Sequence, residues 1–548
     1  MSSRRSSEWK LVFVLAAFTT VLSALPMWIG VAKSPPYTRF LYSSYPWDSN
    51  QYFAFMRIGY EGEWLFTNLL TSEEHPRIVL MPFYVALGHV AGWRADLAGR
   101  GEIDAPLAYR FIPETYHNAR MVLSFAFVWA LYALVRQLTR NRSLRVWMML
   151  FVILAGGWNL ASGIMTEAHV LSSLIQFPHF TFSLILIALS LAAFLAVFRK
   201  EWTGRSISAR WLSVWYGAAA LCGFGLAWVH PFDLPPLVLL GGALCLWSWI
   251  AKKRMPLRLG GLVFIFFLFA AVPSLYQWHV SRSHPVFEAI HASNNMPWSH
   301  WWMPLWQLEV LLLLGLGGAW FCWKKRQRPE YVFLLLWIGI GTAILWAPVS
   351  FQRRLVEGLP IALALGAAVL ARCVFLLLRN NKHISLKNGR FIAYGLILLI
   401  LLPKTVVVLT HRATENFAKA DEYYFLPELE AEALYWLDRN STRDDVVWAP
   451  RWRGNRVPFL SGNRTYYGHG IMTVDSRRKK KETADFFSRN MSPEKYKALT
   501  GANNIRYVLV SRLDFPALGG AFDLQNIDPA ARLVFQNELI RIWKVPDQ

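Results

Sequence analysis

Apolar runs long enough to cross a lipid bilayer recur along this chain, and the loops joining them alternate in charge. The runs are centred in 11–31, 118–138, 144–165, 178–198, 211–229, 235–251, 259–278, 304–323, 331–349, 359–378 and 391–410. A spanning helix needs roughly 20 such residues. Six clusters of Lys and Arg occupy every second connection, beginning with Arg4, Arg5 and Lys10 and ending with Arg379, Lys382, Lys387 and Arg390. Because Lys and Arg collect on the cytoplasmic side, this pattern predicts about eleven spans, a cytoplasmic N-terminus and an exported C-terminus. Residues 78–92 are apolar but short. Counting them as a span would put all later basic clusters on the wrong side, so they are expected to form an interfacial or re-entrant helix.

Composition agrees. Charged residues make up 17% of the 548, against about 25% in soluble domains. The net charge of +22 belongs largely to the short loops, so no nucleic-acid partner is expected. Cys222, Cys245, Cys322 and Cys373 all lie in apolar runs and lack metal-binding spacing, which marks them as buried small hydrophobes. The apolar run after MSSRRSSEWK exceeds a signal-peptide core and has no clean cleavage site, so it reads as an uncleaved first span.

The chain divides into a membrane bundle, 1–410, with a long exported first loop, 32–117, and an extracytoplasmic domain, 411–548. In the latter, 427–440 has helical spacing with acidic residues in its first turn. Residues 445–449 and 505–512 read as strands, 531–545 as a hairpin and 477–489 as a polar helix. RWRGNRVPFLSGNRTYYGHG (451–470) reads as a Gly- and Arg-rich loop. The expected fold class is therefore a polytopic α-helical membrane protein with a C-terminal exported α/β domain.

The first exported loop contains YPWDSNQYFAFMRIGYEGEWLFTNLLTSEEHPR, and the next contains TEAH (166–169). A single span, a long loop with an early Asp, a second acidic loop and a C-terminal domain carrying SGNRTYYGHG resemble the GT-C superfamily of membrane glycosyltransferases. Within it the chain resembles the bacterial protein-mannosyltransferase-like group. That resemblance implies a bacterial inner-membrane enzyme. Its donor would be a polyprenyl-phosphate sugar held in membrane lipid, and its acceptor an extracytoplasmic glycan, lipid or protein. Inverting transfer needs a carboxylate to take the acceptor proton and positive charge to stabilise the departing phosphate.

Asp48, beside Trp47 and Tyr52, is the leading candidate base; alternatively it caps a helix running from Asn50 to Tyr60. Glu167 is a second catalytic candidate, able to orient the acceptor, hold a metal or share the base role. His75, His169, His179, His230 and Asp233 are candidate pocket residues at the same membrane edge. Arg353 and Arg354, with Gln352, break the charge rule by lying in an exported loop. Guanidinium pairs suit a lipid phosphate, although Glu357 is an alternative partner for them. Glu73, Glu74 and His75 leave a divalent metal open. No DxD, HExxH, GxxxxGK[ST] or GxGxxG sequence occurs, so a cytoplasmic nucleotide-sugar or ATP mechanism has no support. A lipid-linked glycan ligase or polymerase fits the arginine pair but not the acidic first loop. A secondary transporter would show a repeated half, and none is visible.

Overall fold

The computed structural model describes residues 2–42, 45–99, 110–158, 165–379, 385–418, 423–514 and 522–546. The chain forms two compact units. The first contains Met1–Pro26, Arg120–Tyr276 and Asn295–Ala413; the second contains Met27–Ala119, Gln277–Asn294 and Thr414–Gln548. The last cut falls beside the expected boundary after residue 410. The other cuts group most of the first long loop with the C-terminal region.

The first unit is a helical bundle. Among the described residues, nine helices in the chain are long and apolar enough to cross a membrane. Asn388–Leu401 and Pro403–His411, bent by 46° at their break, make a tenth if taken as one span. The expected eleventh, 144–165, is not a full helix. Arg142–Leu154 is capped by Asn141, whose Oδ1 accepts the Leu144 N–H at 3.1 Å, and it ends after 13 residues. Residues 159–164 of that expected span lie outside the described residues.

The helix ends because the chain turns extended at Ala155 and finds another partner. The Gly156 and Gly157 N–H groups donate to Leu401 O at 2.8 and 3.0 Å, and Lys404 N–H donates to Gly157 O at 2.9 Å. Two broken segments thus satisfy each other's backbone, which permits non-helical chain within an apolar bundle. Pro178–Trp202 is the central helix, with 89% of its apolar window buried. Met303–Lys324 and Leu359–Leu378 approach through glycines: a Cβ on Gly318 would stand 1.9 Å from Gly366 O. Small residues at such crossings let membrane helices pack closely.

In the second unit, β1 (Thr38–Phe40) pairs antiparallel with β2 (Phe425–Pro427), joining the first loop to the C-terminal region. Strands β3 (Val446–Trp448), β4 (Ile505–Ser511), β5 (Arg532–Gln536) and β6 (Ile540–Lys544) form a sheet in the order β3-β4-β6-β5. The β3/β4 pair is parallel and the others are antiparallel, with the expected hairpin as β5–β6. Trp448, Phe486, Tyr496 and Trp543 pack in its core. Residues 78–92 fall largely within the helix Pro82–Leu97, which crosses Pro46–Tyr60 at two glycines. A Cβ on Gly59 would meet Val85 O at 1.9 Å, and one on Gly88 would meet Met56 O at 1.9 Å.

The expected loop at 451–470 is corrected in its first half, which forms the helix Arg451–Leu460 despite Gly454 and Pro458. Arg453 and Arg456, three residues apart, share one helical face and both bind the buried Glu430 carboxylate. Gly454 lies against Tyr467 O, where a Cβ would stand 2.4 Å away. Tertiary pairing therefore outweighs the local helix-breaking tendency.

Candidate functional site

In the first unit, several helix ends bring ionisable groups together. Extended backbone at His230 ends Ala209–Val229, and a single 3-10 turn, Pro231–Asp233, then sets Asp233 directly before Leu234–Lys252. Gly358, at φ +80°, starts Leu359–Leu378 and follows Glu357. These turns place His230 Nδ1 3.0 Å from Asp233 Oδ2 and 2.9 Å from Glu357 Oε2. Ser183 Oγ donates to Glu357 Oε1 at 2.7 Å. All three ionisable side chains are buried. Burial opposes a charge on His230, but Asp233 and Glu357 outweigh it and hold its pKa above that of a free imidazole.

Further groups surround this triad. The His179 ring lies 6.3 Å from that of His230, and the Arg354 guanidinium sits 4.7 Å from the centroid of Phe232. Phe232 in turn packs on Phe351 at 5.1 Å. Glu167, on the 3-10 turn Thr166–Ala168, keeps part of its surface open. Burial raises its pKa, the charge of Arg354 opposes that rise, and Glu357 adds to it. The junction thus contains three carboxylates, two imidazoles and a guanidinium. Its groups can trade protons and balance an anionic ligand.

The other candidates in this unit have plainer surroundings. Gln352 Oε1 accepts the Trp298 N–H at 3.0 Å, which fixes the neighbouring loop. Arg353 lies next to Arg354 on the turn Gln352–Val356 and is only partly buried. His169 caps Val170–Gln176, and its ring contacts Ser172 Oγ at 2.8 Å and Thr405 Oγ1 at 3.0 Å. Burial, then Lys404, lowers its pKa to about 3.

Asp48 belongs to the second unit. It lies in the first turn of Pro46–Tyr60, whose N-cap is Tyr45 with no side-chain cap bond. The alternative capping role is therefore not seen. Instead Asp48 Oδ1 faces His469 Nε2 at 3.2 Å, and Asp48 remains 41% exposed. His469 Nδ1 accepts the Ile471 N–H at 3.2 Å, which leaves the ring proton on Nε2 to donate to Asp48. Trp47 stacks on the same imidazole at 5.6 Å and 26°. The result is an oriented, accessible carboxylate beside an aromatic surface.

Tyr52 stacks on Tyr84 at 4.4 Å, so that ring face is covered. His75 joins two backbone groups, Asn68 N–H at 2.9 Å and Glu73 O at 2.9 Å. Burial lowers its pKa. Glu73 binds Lys479 at 2.7 Å. These contacts brace the first loop against the C-terminal domain.

Ser183 and His469 are the participants that residue reading missed. Glu357 carries a visible signal, a carboxylate next to the arginine pair and one alternative partner for it, and the structure sets it against His230. His469 had none beyond its place in a glycine-rich stretch. The metal-ligating arrangement among the described residues is His230, Asp233 and Glu357, whose ligand atoms lie within 4.8 Å of one another. Asp233 Oδ1 and His230 Nε2 have no hydrogen-bond partner there, so the donor set suits a cation.

No family model matches the chain. No curated protein matches it either. Solved structures do. An oligosaccharyltransferase from Archaeoglobus fulgidus, AglB in complex with an inhibitory peptide and a dolichol-phosphate, superposes with a TM-score of 0.55 at 12% identity. That match covers 93% of this chain and 70% of the other. ArnT from Cupriavidus metallidurans bound to undecaprenyl phosphate gives a TM-score of 0.50 at 16% identity, covering 98% of both chains.

Proposed function

Because the chain has the GT-C fold, we propose that it is a membrane glycosyltransferase. It would move a sugar from a polyprenyl-phosphate donor to an extracytoplasmic acceptor. The observation that carries this reading is the junction of Glu167, His230, Asp233, Arg354 and Glu357. Ionisable groups are costly among membrane helices and normally persist there for a chemical purpose. The lipid phosphates named for the two structural neighbours support a donor of the same kind.

In this reading Asp48 takes the acceptor hydroxyl proton as the hydroxyl oxygen attacks the anomeric carbon. The bond from that carbon to the phosphate oxygen breaks, and the lipid phosphate leaves with the electron pair. His469 is a positioning residue that holds Asp48 through Nε2–H. Arg354 and Arg353 bind the phosphate, and Trp47 offers a sugar-stacking surface. His230, Asp233 and Glu357 would hold a divalent ion, which when bound supplies positive charge for the phosphate.

The test is sugar transfer from a polyprenyl-phosphate donor by purified protein. We expect Asp48→Asn to reduce turnover by about 10²–10⁴-fold, the usual span for a general base, with donor binding intact. Glu167→Gln is expected to be milder; the reverse order would move the base to Glu167. Arg354→Ala should chiefly weaken donor binding, and unchanged donor affinity would remove the phosphate role. If no polyprenyl-phosphate sugar supports transfer, the donor class is wrong.

A further inference from the structure

A cavity of about 580 Å³ opens in the first unit among the basic loops, away from the junction described above. Arg199 on its wall and His179 in the junction belong to the same helix, Pro178–Trp202. Their 20-residue separation places them about 30 Å apart. The cavity is walled by the end of Phe111–Leu138, the start of Arg142–Leu154, the last turn of Pro178–Trp202 and the start of Pro329–Ala343.

Its chemistry is one-sided. Six cations line it, Arg140, Arg199, Lys200, Arg205, Arg328 and Arg372, with Glu330 as the one carboxylate among the described residues. Glu330 is held by Arg199 at 2.8 Å, and Lys200 lies 5.4 Å from the centroid of Trp211. The deeper wall is apolar, formed by Met148, Ala196 and Val369, all buried between helices. A strongly cationic mouth over an apolar floor matches a ligand with an anionic head and a hydrocarbon body. Basic pockets between membrane helices on the cytoplasmic face recognise such headgroups, and the charge pattern assigns these loops to that face.

We propose that this cavity binds the headgroup of an anionic phospholipid. Its ligand chemistry, phosphate on guanidinium, could also come from a soluble anion, but the apolar floor favours the lipid. The proposal is independent of the sugar-transfer reading.

Native mass spectrometry of the full chain in detergent tests it, with cardiolipin, phosphatidylcholine and inorganic pyrophosphate as separate probes. Wild type should retain cardiolipin at least tenfold more tightly than phosphatidylcholine. Arg140→Gln with Arg205→Gln removes two exposed cavity charges and should weaken cardiolipin binding by about tenfold. Lys253→Gln with Arg254→Gln removes the same charge elsewhere and should change it less than twofold. Equal losses in both pairs would mean diffuse attraction, and no loss in the cavity pair would mean no site; either overturns the proposal. Pyrophosphate binding as tightly as cardiolipin would assign the cavity to a soluble anion and overturn it as well. Monodisperse elution of each variant confirms that it has folded.

Discussion

Glu430 lies fully buried between Arg453 and Arg456, and Arg453 also reaches Asp514 at 2.9 Å. Removing one member of such a set strands the others, a loss of about 3–5 kcal/mol. We therefore expect Glu430→Gln to lower the thermal midpoint by many degrees; a shift under two degrees would contradict that role. Burial alone would raise the Glu430 pKa, but Arg453 and Arg456 outweigh it and hold it below its ordinary 4.5. The stabilisation is thus complete above the unfolded value and is lost as pH falls through the depressed folded one. Melting curves of wild type should shift downward in acid, and those of Glu430→Gln should shift less. At this scale the sequence was partly legible. Asp48, Glu167, His230, Asp233 and Arg354 stood out because charged or polar groups at the edge of apolar runs are few. Glu357 was legible only as a local alternative partner for Arg353 and Arg354. Its contact with His230 spans 127 positions of the chain, a distance no spacing rule bridges.

Most helices were legible from apolar length, as in Pro178–Trp202 and Ala209–Val229. What hydropathy could not reveal is where an apolar run stops being helical. The 13 residues of Arg142–Leu154 rise about 20 Å, short of the roughly 30 Å of a hydrocarbon core. Glycine contacts are sharper tests of the packing. With Gly366 O 1.9 Å from a Cβ placed on Gly318, Gly318→Ala must push two helices apart. We expect about 1–3 kcal/mol of destabilisation, read as a lower melting temperature in detergent. Gly339→Ala, with nothing near its added Cβ, should leave it unchanged. Equal behaviour of the two variants would refute the crossing.

On the scale of the molecule, hydropathy located the change near residue 410 but could not show which chain segments cluster. The second unit draws on three separate stretches, held by contacts such as Asn50–Asn455 at 2.9 Å and Arg57–Asp438 at 2.5 Å. Ending the chain after Ala413 should therefore leave residues 45–99 sensitive to protease, while the full chain resists cleavage there. Equal resistance would show that the loop folds alone. The pairing of β1 with β2 also sets a timetable for synthesis. Arg39 and Glu428, bonded beside that pairing, are separated by 389 positions. At about 5–20 residues per second, the first loop is made roughly 20–80 s before its partner strand emerges. During that interval β1 lacks β2, and Arg57 and Asn50 lack Asp438 and Asn455.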